Sequence, residues 1–301
     1  MKGKMIRRGL LAAVALTGAL AFAGEAPESK AGTVIESTAA SGTQVEKNDS
    51  CILDYSDTNK GYANVKYLES TNKAVKVKVE RTGNSEYYLY TIRTKEYEVI
   101  PFTEGSGSYK ISVLKNVQGN SYAQVLVKEV SVKLDNEFQP YIRPNQYVDY
   151  KASSKCVKKA ESLCKKAKTD LDKVKKVYKW VIKYFKYDYN KAKTVKAGYL
   201  PVLDKIYNAK KGICFDYAST MSAMLRSQGV PVKLVIGYTG SEYHAWINVY
   251  SKKKGWITGA IYIAGNKWKL MDPTFASTGK SSKSIMKYIN NTKNYKKKYS
   301  Y

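Results

Sequence analysis

Gly212-Ile213-Cys214-Phe215-Asp216-Tyr217-Ala218 decides how this chain folds. Cys214 follows a glycine and opens a helical pattern, in which Phe215, Ala218, Met221 and Leu225 recur on one face until Gly229 and Pro231 stop it. A thiol in that place faces free backbone N–H groups and the positive end of the helix dipole, which favours a charged sulfur. Downstream, Val232 to Ile236 reads as a strand, His244 to Tyr250 alternates as a second, and Trp268 to Asp272 reads as a third that ends in Asp272-Pro273. His244 is the only histidine in the chain.

A nucleophilic thiolate needs a general base within hydrogen-bond reach, and the base needs a third group to hold its ring and tautomer. Cys214, His244 and Asp272 are residue types that fill those roles. Singly, each has a plainer reading: a buried core thiol, a structural histidine and a turn residue before proline. Together, in this order, the catalytic reading prevails.

With their flanks, Gly212-x-Cys214-x-Asp216-Tyr217-Ala218, His244-Ala245-Trp246 and Asp272-Pro273-Thr274 closely resemble the core of the bacterial transglutaminase-like superfamily, whose fold is papain-like. The resemblance spans residues 151–289. It implies an α+β domain whose helix N-terminus carries the cysteine and whose adjacent antiparallel strands carry the histidine and aspartate. It implies acyl-transfer chemistry, with amine-transferring enzymes, deamidases, proteases and some inactive relatives among its members. Asp216 matches the family pattern and reads as a charge that complements the helix dipole. The segment from Trp180 to Asp188 resembles the family's helix before the cysteine. An oxyanion donor upstream of the cysteine is also implied, and Tyr199 is the candidate, with a packed structural tyrosine as the plainer reading. Trp246 is expected to wall the cleft or to pack in the sheet. No cofactor or metal is expected, and no calcium loop is recognisable.

The rest of the chain is organised around this domain. Residues 1–23 pair Lys2, Lys4, Arg7 and Arg8 with an apolar run from Leu10, the pattern of a secretory signal peptide. Residues 24–50 are rich in Ala, Ser, Thr and Gly without period and are expected to be a flexible linker. Residues 51–135 alternate over short segments such as Ala74 to Val79, Tyr88 to Ile92, Tyr109 to Val113 and Tyr122 to Leu134, which predicts an immunoglobulin-like β-sandwich. Residues 136–150, with Pro140 and Pro144, are the expected inter-domain linker. Two helical stripes come next, through Val157, Ala160 and Cys164 and then through Val174, Val177, Val181 and Phe185, with Thr169 to Asp172 as a capping box before the second. The run 198–212 reads as loop-rich. Residues 290–301, rich in lysine and tyrosine, read as a tail that contacts the wall rather than packed structure.

The formal net charge is +27, or about +23 (27 − 4) without the leader. Charge of that size attracts polyanions by salt-sensitive steering. Anionic cell-wall polymers are therefore expected partners beside a protein or peptide substrate, and no motif supports specific nucleic-acid binding. The plainer reading is a solvated lysine-rich surface. If Cys214 works as a nucleophile, Cys51, Cys156 and Cys164 remain, an odd number with no disulfide as the default. The expected product is an exported, thioester-forming acyl transferase, secreted or envelope-associated. Its alternatives are a cysteine peptidase or deamidase with the same triad, and a non-catalytic envelope-binding protein.

Overall fold

The structure is a computed structural model that describes residues 32–252, 255–257, 261–264, 267–270 and 295–301. The expected leader, residues 24–31 of the expected linker, and Asp272 lie outside the described residues.

Residues 45–132 are mostly strands, in two four-stranded antiparallel sheets. One takes β1 (Val45–Lys47), β2 (Cys51–Asp54), β3 (Tyr62–Tyr67) and β6 (Tyr97–Pro101) in the order β1-β2-β3-β6. The other takes β4 (Val75–Arg81), β5 (Tyr87–Ile92), β7 (Gly107–Gln118) and β8 (Ser121–Val132) in the order β5-β4-β7-β8. The period-2 pattern of β4 explains its orientation, because Val75, Val77 and Val79 are buried while Lys76 and Lys78 face outward. Leu53, Val65 and Ile100 of the first sheet and Val77, Ile111 and Val113 of the second belong to one hydrophobic core.

Two expected linkers are packed structure. From Val34 the first runs as an extended strap. Val34 N–H donates to the Ser227 carbonyl at 2.8 Å, the Arg143 guanidinium donates to the Ser37 carbonyl at 3.3 Å, and Tyr62 Oη donates to the Ala39 carbonyl at 3.0 Å. Its backbone groups thus have partners in both halves of the molecule, which is why its polar composition does not leave it loose. Within residues 136–150, Phe138, Tyr141, Ile142, Val148 and Tyr150 are buried, and the Tyr141 hydroxyl donates to the Thr103 carbonyl at 2.6 Å. One hydrophobic core is shared by the strand-rich half and the helices beyond residue 150.

The second half is mixed α and β. It comprises α1 (Lys155–Cys164), α2 (Asp170–Tyr184), β9 (Lys186–Tyr187), α3 (Tyr189–Thr194), α4 (Leu203–Ala209), β10 (Lys211–Gly212) and α5 (Cys214–Arg226). Then come β11 (Val232–Thr239), β12 (Glu242–Ser251), β13 (Gly255–Ile257), β14 (Ile261–Ala264), β15 (Lys267–Leu270) and β16 (Tyr295–Ser300). The cap expected for α2 forms, with Thr169 Oγ1 accepting the Asp172 N–H at 3.1 Å. The run expected to be loop-rich contains α4, whose Leu203 and Ile206 are buried. Helix α5 is buried along nearly its whole length, the mark of a helix with neighbours on all sides.

The expected tail is different in kind. Strand β16 pairs antiparallel with β11 in a sheet ordered β13-β12-β11-β16, and Tyr295, Ser300 and Tyr301 are buried. Its lysines project from a strand whose backbone is paired. Gly237 permits the pairing: a Cβ there would lie 2.0 Å from the Lys296 carbonyl oxygen. Arg226, fully buried at the end of α5, ties the ends together. It donates to the carbonyls of Val232 at 2.7 and 3.0 Å, Arg143 at 2.7 Å and Tyr301 at 2.6 Å. Burial lowers its pKa to about 10. Among the described residues no helix is long and apolar enough to cross a membrane.

Candidate active site

The local sequence explains why α5 begins at Cys214. Ile213 is extended, and its N–H donates to Asp216 Oδ2 at 2.8 Å, so the carboxylate folds back over the first turn. Gly212 makes room for that carboxylate, since a Cβ there would lie 2.5 Å from Asp216 Cβ and 2.8 Å from its Oδ2. The approach is held by a short parallel pairing of β10 with β9, Lys211 beside Lys186 and Gly212 beside Tyr187. The glycine and the aspartate around the cysteine are therefore one structural device.

Asp216 is fully buried and carries two further partners, Lys191 Nζ at 2.6 Å and the Tyr199 hydroxyl at 2.6 Å. Lys191 Nζ also donates to the Tyr199 oxygen at 2.6 Å. Burial first, and the neighbouring Asp216 carboxylate second, raise the Tyr199 pKa well above the ordinary phenol value, so the phenol keeps its proton. That single proton is committed to Asp216. The hydroxyl expected to serve an oxyanion is instead a clasp that holds residues 191–199 to the start of α5, while the Tyr199 ring lines the cleft.

Cys214 is half-buried and His244 nearly buried, and both line one cleft of about 680 Å³. His244 sits on β12 opposite Gly237 of β11. Its ring stacks on Trp246, with centroids 6.3 Å apart and planes at 22°. Trp246 is buried against Val235 and Tyr295, so of its two expected places it takes the one inside the sheet, behind the histidine. Of the three expected catalytic residues, the structure brings Cys214 and His244 to the same cleft; Asp272 lies outside the described residues.

The other three cysteines are also free thiols, but they are buried. Burial pushes Cys51 up to about 11, Cys156 to about 12 and Cys164 to about 11.

Sequence reasoning missed several residues of this cleft. Lys191 looks like any surface lysine until α3 turns it onto Asp216; the local signal was Asp188, whose Oδ1 accepts the Lys191 N–H at 3.0 Å and starts that helix. Tyr147, Tyr299 and Tyr301 line the cleft, and Tyr147 stacks on Tyr301 at 3.9 Å. Leu89 and Thr91 come from β5 in the strand-rich half, and no local pattern announces them.

Residues 157–259 match the profile of the transglutaminase-like superfamily. The Bacillus subtilis protein YebA, which is uncharacterized, is 25% identical over 228 residues, 67% of this chain and 29% of that protein. A protein-glutamine gamma-glutamyltransferase of Pseudomonas aeruginosa is 29% identical over 69 residues, 18% of this chain and 10% of that protein. The chain thus spans less than a third of the length of either. Among solved structures, red sea bream transglutaminase aligns at 12% identity with a TM-score of 0.28, over 71% of this chain and 48% of that one. The likeness to the transglutaminase-like superfamily thus covers residues 157–259, a stretch that holds both Cys214 and His244.

Proposed function

We propose that the protein is an exported cysteine-dependent acyl transferase acting on protein or peptide carboxamides. The observation that carries this reading is the presence of Cys214, at the first position of α5, and His244 in one cleft. Cys214 Sγ attacks the carboxamide carbonyl and its proton passes to His244. The tetrahedral intermediate collapses, the C–N bond breaks, and the imidazolium returns the proton to the departing ammonia, leaving a thioester. A primary amine then attacks the thioester, gives an isopeptide bond and restores the thiol. Asp272 is assigned to orient the imidazole. The Cys214 backbone N–H, one of the donors in the first turn of α5, is assigned to the oxyanion.

In this reading residues 51–135 are an immunoglobulin-like module, residues 1–23 direct export, and the lysine-rich surface favours anionic wall polymers. Water as acceptor gives deamidation, and a backbone carbonyl as donor gives proteolysis, with the same triad.

The test presents the native protein and Cys214→Ala with a glutamine-rich protein and a tagged primary amine, followed by peptide mass spectrometry. Amine joined to glutamine only by the native protein is the expected result. Glutamate or cleaved chain would move the function to a hydrolase. No product, together with slow alkylation of Cys214, would overturn the enzymatic reading in favour of an envelope-binding protein.

A further inference from the structure

The wall of the cleft that faces α5 is an edge of a β-sheet. Strand β5 is the terminal strand in the order β5-β4-β7-β8, and its Leu89 and Thr91 line the same cleft as Cys214 and His244. The ladder on the far side of β4 tells which backbone groups of β5 are open. Asn116 N–H donates to the Ala74 carbonyl at 2.8 Å and Thr82 N–H to the Ser108 carbonyl at 2.9 Å, so the even-numbered residues along β4 bond toward β7. Val75, Val77 and Val79 therefore bond toward β5, through their partners Ile92, Tyr90 and Tyr88. The N–H and C=O groups of Tyr87, Leu89 and Thr91 point away from the sheet. The Thr91 carbonyl accepts from the Gln146 side-chain amide at 2.7 Å, and Gln146 itself lines the cleft.

This edge is also unguarded. Exposed sheet edges are ordinarily blunted by charge, proline or bulges. Edge strands β1, β6, β8 and β16 each carry lysine or glutamate; the six-residue Tyr87-Tyr88-Leu89-Tyr90-Thr91-Ile92, like the shorter edges β13 and β14, has no charge and no proline. Tyr87 and Leu89 nonetheless stand 46% and 38% exposed.

We propose that β5 is the docking edge for the polypeptide substrate, which adds to the sheet as an extended strand and so delivers its carboxamide to Cys214. The partner is an extended polypeptide segment because the edge offers main-chain donors and acceptors at alternate residues and continues into the cleft. The identity of the reacting group rests on the acyl-transfer reading above; the docking does not.

The test measures binding of a glutamine-containing peptide to the Cys214→Ala protein, with single N-methyl groups placed along the peptide backbone. Losses of about tenfold at alternate positions are expected, since a strand pairs through every second residue. A uniform effect, or none, would overturn the proposal. On the protein side, Leu89→Pro removes one outward N–H without touching the ladder to β4. Turnover of the peptide should fall about tenfold more than hydrolysis of a minimal carboxamide, and Leu89→Ala should show a smaller difference between the two substrates. Equal loss on peptide and minimal substrate, or no loss on either, would count against docking at β5. Alternating binding without any turnover would leave the docking standing and remove the acyl-transfer reading; turnover without alternation would do the reverse.

Discussion

Two cysteines occupy the first turn of a helix in this molecule, and they differ in almost everything else. Cys156 is the second residue of α1 and Cys214 the first of α5. Cys156 is fully buried, and burial first, then the charge of Asp204, pushes its thiol from an ordinary 9.0 to about 12, against the helix-start N–H groups that act to lower it. A helix dipole contributes about 0.3–1 kcal/mol, less than the 1.36 kcal/mol that moves a pKa by one. Burial of Cys156 outweighs it. Cys214 also stands at a helix start but is only half-buried, on a cleft that His244 lines as well. The comparison teaches that a helix N-terminus does not by itself lower a thiol's pKa, because burial can outweigh it.

The sharpest way to break this comparison is to remove each thiol in turn. Cys214→Ala should lower turnover by about 10³-fold or more, while Cys156→Ala should leave it within about twofold at temperatures where the protein is folded. Equal losses in a steady-state assay would show that the two positions are not chemically distinct.

Next in size is the support of α5 at its other end. Arg226→Met removes the guanidinium donor from the carbonyls of Val232, Arg143 and Tyr301, of which the last keeps the Leu234 N–H at 2.9 Å. A loss of about 3 kcal/mol or more is expected in urea unfolding. A midpoint within the error of the native protein would show that β16 docks without this residue.

A third measurement reads the thiols directly. At pH 8 iodoacetamide should label Cys214 well before Cys51, Cys156 or Cys164, whose thiols stay protonated until the pH nears 11 to 12. The stability that accompanies the raised Cys156 value has a defined window. It is fully present below 9.0, where folded and unfolded states both hold the proton, and is lost as pH rises toward about 12. Cys156→Ala should therefore lose stability less steeply than the native protein across that window, as alkaline unfolding would reveal.

The smallest expected effect concerns a helix start that carries no thiol. Thr169→Ala should cost about 1 kcal/mol, read as a shift in the thermal midpoint, with turnover unchanged. A larger loss would mean that α2 depends on its cap more than on its buried face.

Much of the fold is legible from local pattern. The alternation of Val75, Val77 and Val79 predicts β4 with its faces correctly placed, and Thr169 predicts the start of α2. The residues around Cys214 predict a helix that begins there, and Gly212 and Asp216 prove to be the reason it does. The failures share one cause. Residues 295–300 look like a charged tail because their pairing partner lies in β11, far back in the chain. Residues 34–44 look like a spacer because their hydrogen-bond partners are supplied by Ser227, Arg143 and Tyr62.

By itself, then, the order of residues determined the helix start at Cys214, the strand that carries His244 and the likeness to the family profile that spans both, because those depend on neighbours within a few residues. Only the tertiary structure decided that Tyr199 and Lys191 close on a buried Asp216, that Trp246 backs the histidine rather than facing the cleft, and that β5 of the strand-rich half forms the opposite wall. Those facts depend on which segments are packed together, and burial and hydrogen-bond satisfaction across the whole chain select that packing.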